Sequence, residues 1–370
     1  MIKKLTFILN VRFPTEKAYG VTTEFTLRAI EDTKTCLVTV ITPLFDKSLE
    51  SNLNILEKKL PFARIYNHLI RVLPNIGALL FTVWKIAYPF KLLFTTSKRN
   101  NLIWTRDIFT SLVFSMAGFH TLCEIHRSPS KLDSFFLYIL KKIPKCKFAT
   151  ITIFLRDKLH INPERCLILP MAVNKFEIVK KSYDIKKKQF VVGYVGLSSS
   201  SGRSLSLDCV YNAALYFSKE DINVVFQLIG IEKKNFNQVT LPKNLNLMGR
   251  IPRDIALSKM DEFDIGLLLY PEAKYFLDSF PIKIVEYAAR GVPILASDTT
   301  SHRNILGEAR ACYFDFNSDS SLIHSIISLR DNNDLREALS NSVSLWVRDF
   351  TYQQRARTVL DFDTLWNTSR

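Results

Sequence analysis

Residues 278 to 293 read DSFPIKIVEYAARGVP and place two acids, one lysine and two prolines within sixteen positions. Pro281 suits the first turn of a helix, where its missing N–H costs nothing, and Gly291 suits a helix end. We therefore predict a helix from Pro281 to Arg290. Asp278 then lies in the preceding loop, and Glu286 lies about one and a half turns into the helix.

This stretch combines groups that suit a sugar nucleotide. A helix start presents free N–H groups and a partial positive charge, to which Ser279 adds a hydroxyl and Lys283 an ammonium. Together they suit a phosphate or diphosphate. Glu286 is a good acceptor for two vicinal hydroxyls such as a ribose diol, and Asp278 suits a sugar in the same way. A capped helix with an exposed acid and base is the alternative interpretation.

Two series of apolar strand patterns, interleaved with helical patterns, surround this stretch. Such alternation is typical of parallel βαβ units, so the fold class is predicted as α/β with two doubly wound Rossmann-like domains facing across a cleft. The predicted strands are 5–9, 36–42, 101–105, 121–125, 148–152 and 166–170, then 190–196, 224–230, 245–249, 265–270, 293–297 and 311–315.

A polar, lysine-rich segment without glycine, VNKFEIVKKSYDIKKKQF at 173–190, separates the two series. It predicts a linker near 175–188 and domains at 1–180 and 181–350. Residues 351–370 contain a helical pattern, over 352–366, and are predicted to pack back toward the first domain.

Charge divides the chain of 370 residues unevenly. Residues 1–190 hold 31 Lys and Arg against 14 Asp and Glu, whereas residues 191–370 hold 19 against 21. Only the first half is thus expected to meet an anionic surface. The six cysteines are scattered, with no Cys-x-x-Cys pair, which indicates reduced thiols in a cytoplasmic protein.

The opening stretch resembles the donor site of family 4 glycosyltransferases, which have the GT-B fold. In that family two acids separated by seven residues precede a Gly-x-Pro sequence. Here the acids are Asp278 and Glu286, and the glycine is Gly291. The first acid is usually Glu, and Asp278 is one methylene shorter. LCEIHRSP at 122–129 resembles the strand that ends in the family's active-site histidine. The resemblance therefore implies that His126, Asp278 and Glu286 are catalytic.

The resemblance also implies a set of donor-binding residues. In the family the donor contacts three elements: a glycine at the start of the first helix, a basic residue after the strand at 190–196, and the backbone near 249–251. The implied residues are Gly20, Arg203, Gly249, Arg250, Ile251, Ser279, Phe280, Pro281, Ile282, Lys283 and Glu286. Alternatives remain: Gly20 as a plain loop glycine, Arg250 and Arg253 as solvated surface, Arg106 as a strand-end ion pair, and His126 as a structural residue.

By resemblance, the protein is expected to be a retaining enzyme that moves a sugar from a UDP- or GDP-sugar to a lipid-linked or envelope glycan, in polysaccharide or lipopolysaccharide synthesis. No metal or other cofactor is expected, because the only Asp-x-Asp, Asp361 to Asp363, lies in a helical pattern where its acids face different sides. A non-catalytic sugar-nucleotide-binding paralogue or membrane-associated subunit, and an epimerase of the same fold, are the alternatives.

Basic and aromatic residues within 69–101, among them Trp84, Tyr88 and Phe90, and the basic cluster KKIPKCK at 141–147 suit an anionic membrane. Helices of a core with a solvated lysine face are the alternative. We predict a cytoplasmic protein, peripheral on the inner face of the cytoplasmic membrane. Nucleic acid is not expected as a partner, because no motif that binds it appears.

Overall fold

A computed structural model of the chain describes residues 3–15, 18–45, 51–58, 74–98, 100–179, 189–197, 199–200, 203–204, 207–220, 223–238, 240–271 and 278–362. Its contacts divide the chain into two compact units. The first comprises Met1–Pro170 together with Tyr352–Arg370, and the second comprises Met171–Thr351.

The first unit is built on a seven-stranded parallel sheet with strand order β5-β3-β1-β6-β7-β8-β9. The chain adds strands on one side of β1, then crosses to the other side at β6, which makes the sheet doubly wound. Its strands are β1 (Lys3–Ile8), β2 (Arg12–Phe13), β3 (Cys36–Thr42), β4 (Leu44–Phe45), β5 (Ile55–Glu57), β6 (Asn101–Thr105), β7 (His120–Ile125), β8 (Cys146–Thr150) and β9 (Cys166–Ile168), of which β2 and β4 form a separate parallel pair.

Helices alternate with these strands, as the sequence predicts. They are α1 (Ala18–Glu31), α2 (Pro74–Leu93), α3 (Ile108–Met116), α4 (Lys131–Leu140) and α5 (Ile153–Lys158), with a short 3-10 helix at Pro163–Arg165. Side-chain caps begin three of them. The carboxylate of Asp107 accepts a hydrogen bond from the N–H of Thr110 at α3. The hydroxyls of Ser130 and Thr152 likewise accept hydrogen bonds from N–H groups in the first turns of α4 and α5.

Trp84 and Tyr88 of α2 lie in the core of the first unit. They pack with Ile8, Ile103 and Phe114 and are 5% and 1% exposed. The expectation that these two rings face a membrane is therefore wrong: they occupy the helix face that covers the sheet. Arg71 and Arg99 of the same predicted surface lie outside the described residues.

A six-stranded parallel sheet with strand order β14-β13-β10-β15-β16-β17 forms the second unit. It too is doubly wound, with the change of direction between β10 and β15. The strands are β10 (Phe190–Val195), β11 (Ser199–Ser200), β12 (Arg203–Ser204), β13 (Val224–Ile229), β14 (Leu245–Gly249), β15 (Ile265–Leu268), β16 (Ile294–Ser297) and β17 (Ala311–Phe314), of which β11 and β12 form an antiparallel pair.

Among the described residues, six helices accompany this sheet: α6 (Asp208–Lys219), α7 (Arg253–Met260), α8 (Ile282–Ala289), α9 (Thr300–Leu306), α10 (Asp319–Asp331) and α11 (Asn333–Trp346). Short 3-10 helices occur at Lys175–Glu177, Lys233–Asn235 and Val347–Asp349. The core lies between the sheet and α6 and α10, where Phe217, Phe226 and Ile326 are fully buried.

The last helix, α12 (Tyr352–Leu360), belongs to the first unit and packs against α1. The ring of Tyr352 stacks on Phe25 with centroids 5.3 Å apart. The predicted helix over 352–366 thus exists but ends at Leu360, before Asp361 and Phe362, and residues 363–370 lie outside the described residues.

The unit boundary differs from the predicted linker near 175–188. Residues 171–179 already belong to the second unit, because the N–H of Val179 donates to the carbonyl of Ala289 over 2.8 Å and Glu177 pairs with Arg253. Residues 180–188 lie outside the described residues.

All twelve predicted strands are present, and the α/β fold class is confirmed. Within the described part of the chain, every helix is too short or too polar to span a bilayer.

Candidate functional site

The predicted helix of the opening stretch is confirmed as α8. Pro281 is its N-cap residue with extended backbone, and the N–H of Gly291, whose φ is 61°, donates to the carbonyl of Ala288 at the helix end. Asp278 precedes the helix and is 3% exposed, while Glu286 on the helix is 8% exposed. Both acids are therefore withdrawn from solvent, which excludes the interpretation as an exposed acid and base.

Glycines occupy the carboxyl ends of three neighbouring strands of the second sheet. Gly196 follows β10, Gly230 follows β13 and Gly249 ends β14, each with a positive φ. A Cβ on Gly230 would lie 2.5 Å from the carbonyl oxygen of Gly196, so the two backbones approach too closely for any side chain. This end of the sheet is consequently formed of backbone.

Lys283, in the first turn of α8, reaches Gly196 of this glycine platform, which is formed by Gly196, Gly230 and Gly249. Its Nζ lies 3.2 Å from the hydroxyl of Tyr194 and 4.3 Å from the centre of that ring, and a Cβ on Gly196 would come within 2.1 Å of it. The centre of the ring of Tyr270, which follows β15, lies 5.6 Å from the same ammonium. The ammonium thus lies where β10 and β15 are neighbours and the order of strand addition reverses. Ligands usually bind at this position in doubly wound sheets.

Glu286 is linked to a second buried acid through Arg253. The guanidinium donates to Glu286 Oε1 over 3.2 Å and to both oxygens of Glu177 over 2.8 and 3.3 Å. Burial raises the pKa of Glu286 and the Glu177 carboxylate adds to the rise, while Arg253 opposes both. Burial also disfavours the charge on Glu177, but its hydrogen bonds from Arg253 and Asn174 outweigh that and lower its pKa.

Arg253 is therefore a bridging residue, and the interpretation of it as solvated surface is wrong. It begins α7, directly after the Gly249 to Ile251 segment. Arg250 is exposed and Ile251 is half-buried. Sequence reasoning missed Glu177, Tyr194, Gly196 and Gly230; a glycine directly after a predicted strand was the available signal for the last two.

The remaining predicted donor residues are placed as follows. Phe280 is buried, with its ring 6.1 Å from that of Phe350, so its side chain supports the loop before α8. The carbonyl of Ser279 accepts the hydroxyl of Ser301, and Ile282 begins α8 half-buried. Arg203 lies in β12 within an antiparallel pair, and its side chain lies outside the described residues.

In the first unit, Glu124 near the end of β7 is the centre of a buried charge cluster. It is 1% exposed and accepts from Trp104 Nε1 over 3.0 Å, from Arg106 Nε over 3.1 Å and from Arg355 of α12. His126 Nε2 lies 2.6 Å from Glu124 Oε1. The interpretation of Arg106 as a strand-end ion pair is confirmed.

Charge balance explains how this cluster titrates. Burial raises the pKa of Glu124, but Arg106, Arg355 and His126 outweigh it and hold the pKa well below its ordinary range. Burial and the nearby Arg106 lower the pKa of His126 to about 4, against the opposing pull of Glu124. The imidazole is then neutral at pH 7, and because an ionised carboxylate only accepts, Nε2 carries the proton.

Arg355 connects the end of the chain to this cluster. Its guanidinium, in a residue 4% exposed, also donates to the carbonyls of Leu169 and Pro170 and, over 3.1 Å, to the hydroxyl of Thr26. This pair was not predicted from the sequence because Arg355 and Glu124 lie far apart in the chain.

Gly20 lies in the first turn of α1. A Cβ there would come within 2.3 Å of the Thr15 side chain and 2.6 Å of its carbonyl oxygen, so the chain itself occupies the space that a side chain would need. The carbonyl of neighbouring Tyr19 accepts from Arg106 over 3.0 Å. Gly20 thus allows the loop before α1 to pack closely, which gives it a structural role in this unit.

The described residues contain no group of three or more His, Cys, Asp or Glu placed to hold a metal ion. Of the predicted Asp-x-Asp pair, Asp361 directly follows α12 and Asp363 lies outside the described residues.

Residues 214–361 match the model of a family described as "Glycosyl transferase-like". A comparison of the sequence with curated proteins finds no match. Over the whole structure, a glycosyltransferase from Rickettsia africae is similar with a TM-score of 0.71 and 13% identity, covering 100% of both chains. The chain has the GT-B fold.

Two further GT-B structures illustrate the likeness. WaaG, a glycosyltransferase involved in lipopolysaccharide biosynthesis, has a TM-score of 0.64 and 14% identity and covers 98% of this chain and 100% of its own. HepE from Anabaena, solved with UDP and glucose, has a TM-score of 0.64 and 12% identity and covers 97% and 99%. These matches confirm the resemblance to glycosyltransferases that the stretch from Asp278 to Glu286 predicts.

Proposed function

We propose that the protein is a retaining glycosyltransferase of the family 4 type, which moves a sugar from a nucleotide diphosphate donor to a lipid-linked or envelope glycan. One observation carries the proposal: the Lys283 ammonium, from the first turn of α8, lies beside Gly196 of the glycine platform, at the point where the strand order of the second sheet reverses. Donor phosphates suit this place because cationic and N–H groups converge on it without intervening side chains.

The diphosphate is assigned to Lys283 and the first turn of α8. Negative charge builds on the leaving phosphate as the sugar bond breaks, and an ammonium and helix N–H groups fixed beforehand stabilise that charge without rearranging. Arg203 is assigned as a further basic contact. With these groups in place we propose that transfer needs no metal ion, and that donor phosphates are neutralised by protein alone.

Glu286 is assigned to the hydroxyls of the nucleoside. Arg253 donates to Oε1, so Oε2 is the oxygen that we assign to a ribose hydroxyl. Asp278, buried in the loop before α8, is assigned to the donor sugar, and backbone at Gly249 to Ile251 to the base. Ser279, Phe280, Pro281 and Ile282 shape this loop and the helix entry.

His126 is assigned a catalytic role near the reacting carbon of the donor sugar. Its Nε2–H is held by Glu124, so its neutral Nδ1 is an acceptor for a sugar or acceptor hydroxyl. Gly20, in contrast, is proposed only to bring the α1 backbone close to the donor or acceptor.

The neighbours support the choice of substrates. HepE was solved with UDP and glucose, which favours a UDP-sugar here, with a GDP-sugar as the next choice. WaaG acts in lipopolysaccharide biosynthesis, which supports an envelope glycan as the acceptor. Together with the basic first half, this leads us to propose a cytoplasmic enzyme that works at the inner face of the cytoplasmic membrane.

Thermal shift with UDP-, GDP- and ADP-sugars tests the donor assignment. We expect one base to stabilise the wild type, and Lys283→Ala and Glu286→Ala to abolish that shift. Lys259→Ala, which removes only the α7 lysine paired with exposed Glu262, should retain it. NMR of the anomeric proton in the product then tests retention. Binding without transfer to any envelope acceptor would instead indicate a non-catalytic paralogue, and turnover of the donor without an acceptor would indicate an epimerase.

A further inference from the structure

Three helices of the first unit join their phenylalanines into one aromatic row, formed by Phe90 of α2, Phe109 of α3, and Phe135 and Phe136 of α4. Ring centroids are 6.2 Å apart from Phe90 to Phe109, 5.1 Å from Phe109 to Phe136 and 6.0 Å from Phe136 to Phe135. Phe90 and Phe135 are exposed and the other two are half-buried. The row is therefore a continuous apolar surface rather than scattered exposed residues.

Other exposed apolar side chains extend the aromatic row on the same helices. On α2 and just beyond it, Val83, Phe90 and Phe94 fall within about 20° of one line along the helix. Phe94 is 90% exposed, the highest value of any large apolar residue that the structure describes. The other exposed apolar residues of these helices are Val83, Ile86, Met116, Leu132 and Tyr138. Apolar patches of this extent on a folded chain mark interaction sites.

The charged residues of this face are mostly lysines. They are Lys131 at the start of α4 and Lys142 just past its end, both within about 40° of Phe135 around the helix. Lys85 and Lys91 of α2 are half-buried and lie about 140° and 100° around the helix from Phe90. The ammonium of Lys142 lies 4.2 Å from the centre of the Tyr138 ring and donates to its hydroxyl.

Acids on the described part of the three helices and their caps are limited to Asp107 and Asp133, both half-buried. Asp107 caps α3 and pairs with Lys85, and Asp133 accepts from Ser130. The outward charge of the face is thus positive.

We propose that this face docks on an anionic lipid bilayer, with the aromatic row in the headgroup boundary and Lys131 and Lys142 against lipid phosphates. Aromatic rings flanked by lysines suit such an interface, and each lysine near the surface adds attraction. Lysine is depleted from protein–protein interfaces, which favours a membrane over a protein partner. The inference rests on the proposed function only in that a lipid-linked acceptor would give the docking its use.

Flotation with lipid vesicles tests the proposal without donor or acceptor. We expect the wild type to bind vesicles of phosphatidylcholine with 30 mol% phosphatidylglycerol, to bind pure phosphatidylcholine at least about tenfold more weakly, and to lose binding as salt rises. The variants Phe90→Ser with Phe94→Ser, and Lys131→Glu with Lys142→Glu, should each weaken binding by about tenfold or more.

Leu345→Ser and Lys243→Glu provide matched controls, because both residues are exposed in the second unit. Both should bind vesicles as the wild type does. Circular dichroism and the donor thermal shift should be unchanged in all variants, which separates a failure of docking from a failure of donor binding. Equal binding by the controls and the face variants would overturn the proposal. So would a wild type that ignores vesicles, or one that dimerises through this face in sedimentation.

Discussion

Each unit buries a glutamate beside arginine near the carboxyl end of its sheet, yet the two acids are balanced differently. Glu124 in the first unit is surrounded by Arg106, Arg355 and His126, so its pKa is lowered. Glu286 in the second unit shares one guanidinium, that of Arg253, with Glu177, so its pKa is raised by burial.

This difference in charge balance indicates which of the two acids is available to a ligand. Glu124 is fully compensated by the protein itself, and removing a partner leaves an uncompensated buried charge. Glu286 is under-compensated, so hydroxyl donors from a ligand would supply what the protein omits. We therefore expect substitutions around Glu124 to affect stability first and substitutions around Glu286 to affect binding first.

Arg355→Ala should give the largest effect. It leaves Glu124 with one guanidinium fewer and removes the tie of α12 to the Leu169 and Pro170 carbonyls, at a cost of about 3–5 kcal/mol in the free energy of unfolding. Denaturant unfolding measures the loss, and hydrogen exchange of β7 assigns it to the first unit.

Arg357→Ala, on the exposed side of the same helix, is the control and should cost less than about 0.5 kcal/mol. A double variant, Arg355→Met with Glu124→Gln, should recover part of the loss because the fully buried carboxylate charge is then removed, and the Arg106 charge that remains is partly exposed to solvent. Equal costs for the two arginines would contradict the comparison.

Glu286→Gln should leave the fold intact and reduce kcat/KM by on the order of 10²-fold, since it removes a charged acceptor of ligand hydroxyls. Steady-state kinetics with the donor that gives the thermal shift measures this. Glu262→Gln, an exposed acid of the same unit, serves as the matched control. A Glu286→Gln enzyme with wild-type kinetics would remove the distinction between the two acids.

His126 should make the first unit sensitive to acid. Its folded pKa of about 4 lies below its ordinary 6.5, so the unfolded chain binds a proton that the folded chain refuses between these values. The associated stability is complete above pH 6.5 and is lost as the pH falls toward 4, by about 2 kcal/mol between pH 6.5 and 4.5.

Unfolding measured against pH in the wild type and in His126→Gln checks this expectation. Above pH 4.5 the His126→Gln variant should lack the fall in unfolding free energy that the histidine causes as the pH is lowered. His324→Gln, on the surface of α10, should retain that fall. A slope common to all three proteins would show that His126 is not held neutral by its surroundings.

Gly230→Ala tests the platform of the second unit and should give the smallest change. A Cβ there meets the Gly196 carbonyl at 2.5 Å, so we expect a loss of about 2 kcal/mol in unfolding free energy together with a weaker donor thermal shift. Gly307→Ala shares a positive φ, but the atom nearest to its Cβ is 3.7 Å away, at the tip of Arg310. It should cost about 1 kcal/mol and leave donor binding unchanged.

The fold was predictable where apolar runs alternate with helical patterns, which is why twelve of the thirteen strands in the two main sheets were located from sequence alone. Short pairings escaped, such as β5 and the β11 and β12 pair, because two or three residues carry no periodicity. The helix at α8 was predictable from Pro281 and Gly291, whose chemistry acts locally.

The partners of the buried acids were not predictable. Arg355 reaches Glu124 across 231 positions and Arg253 reaches Glu177 across 76, and nothing in the local sequence reports such pairs. Trp84 and Tyr88 were misread for a related reason: their spacing shows that they share a helix face, but not whether the core or the solvent receives it.

A crystal structure of the protein with a nucleoside diphosphate would show most directly whether Lys283 and the start of α8 bind the donor phosphates. We expect phosphate oxygens about 3 Å from Lys283 Nζ and from N–H groups in the first turn of α8, over the platform of Gly196 and Gly230, with Glu286 on the ribose. A nucleotide bound away from the carboxyl end of β10, with Lys283 still on Tyr194, would contradict it.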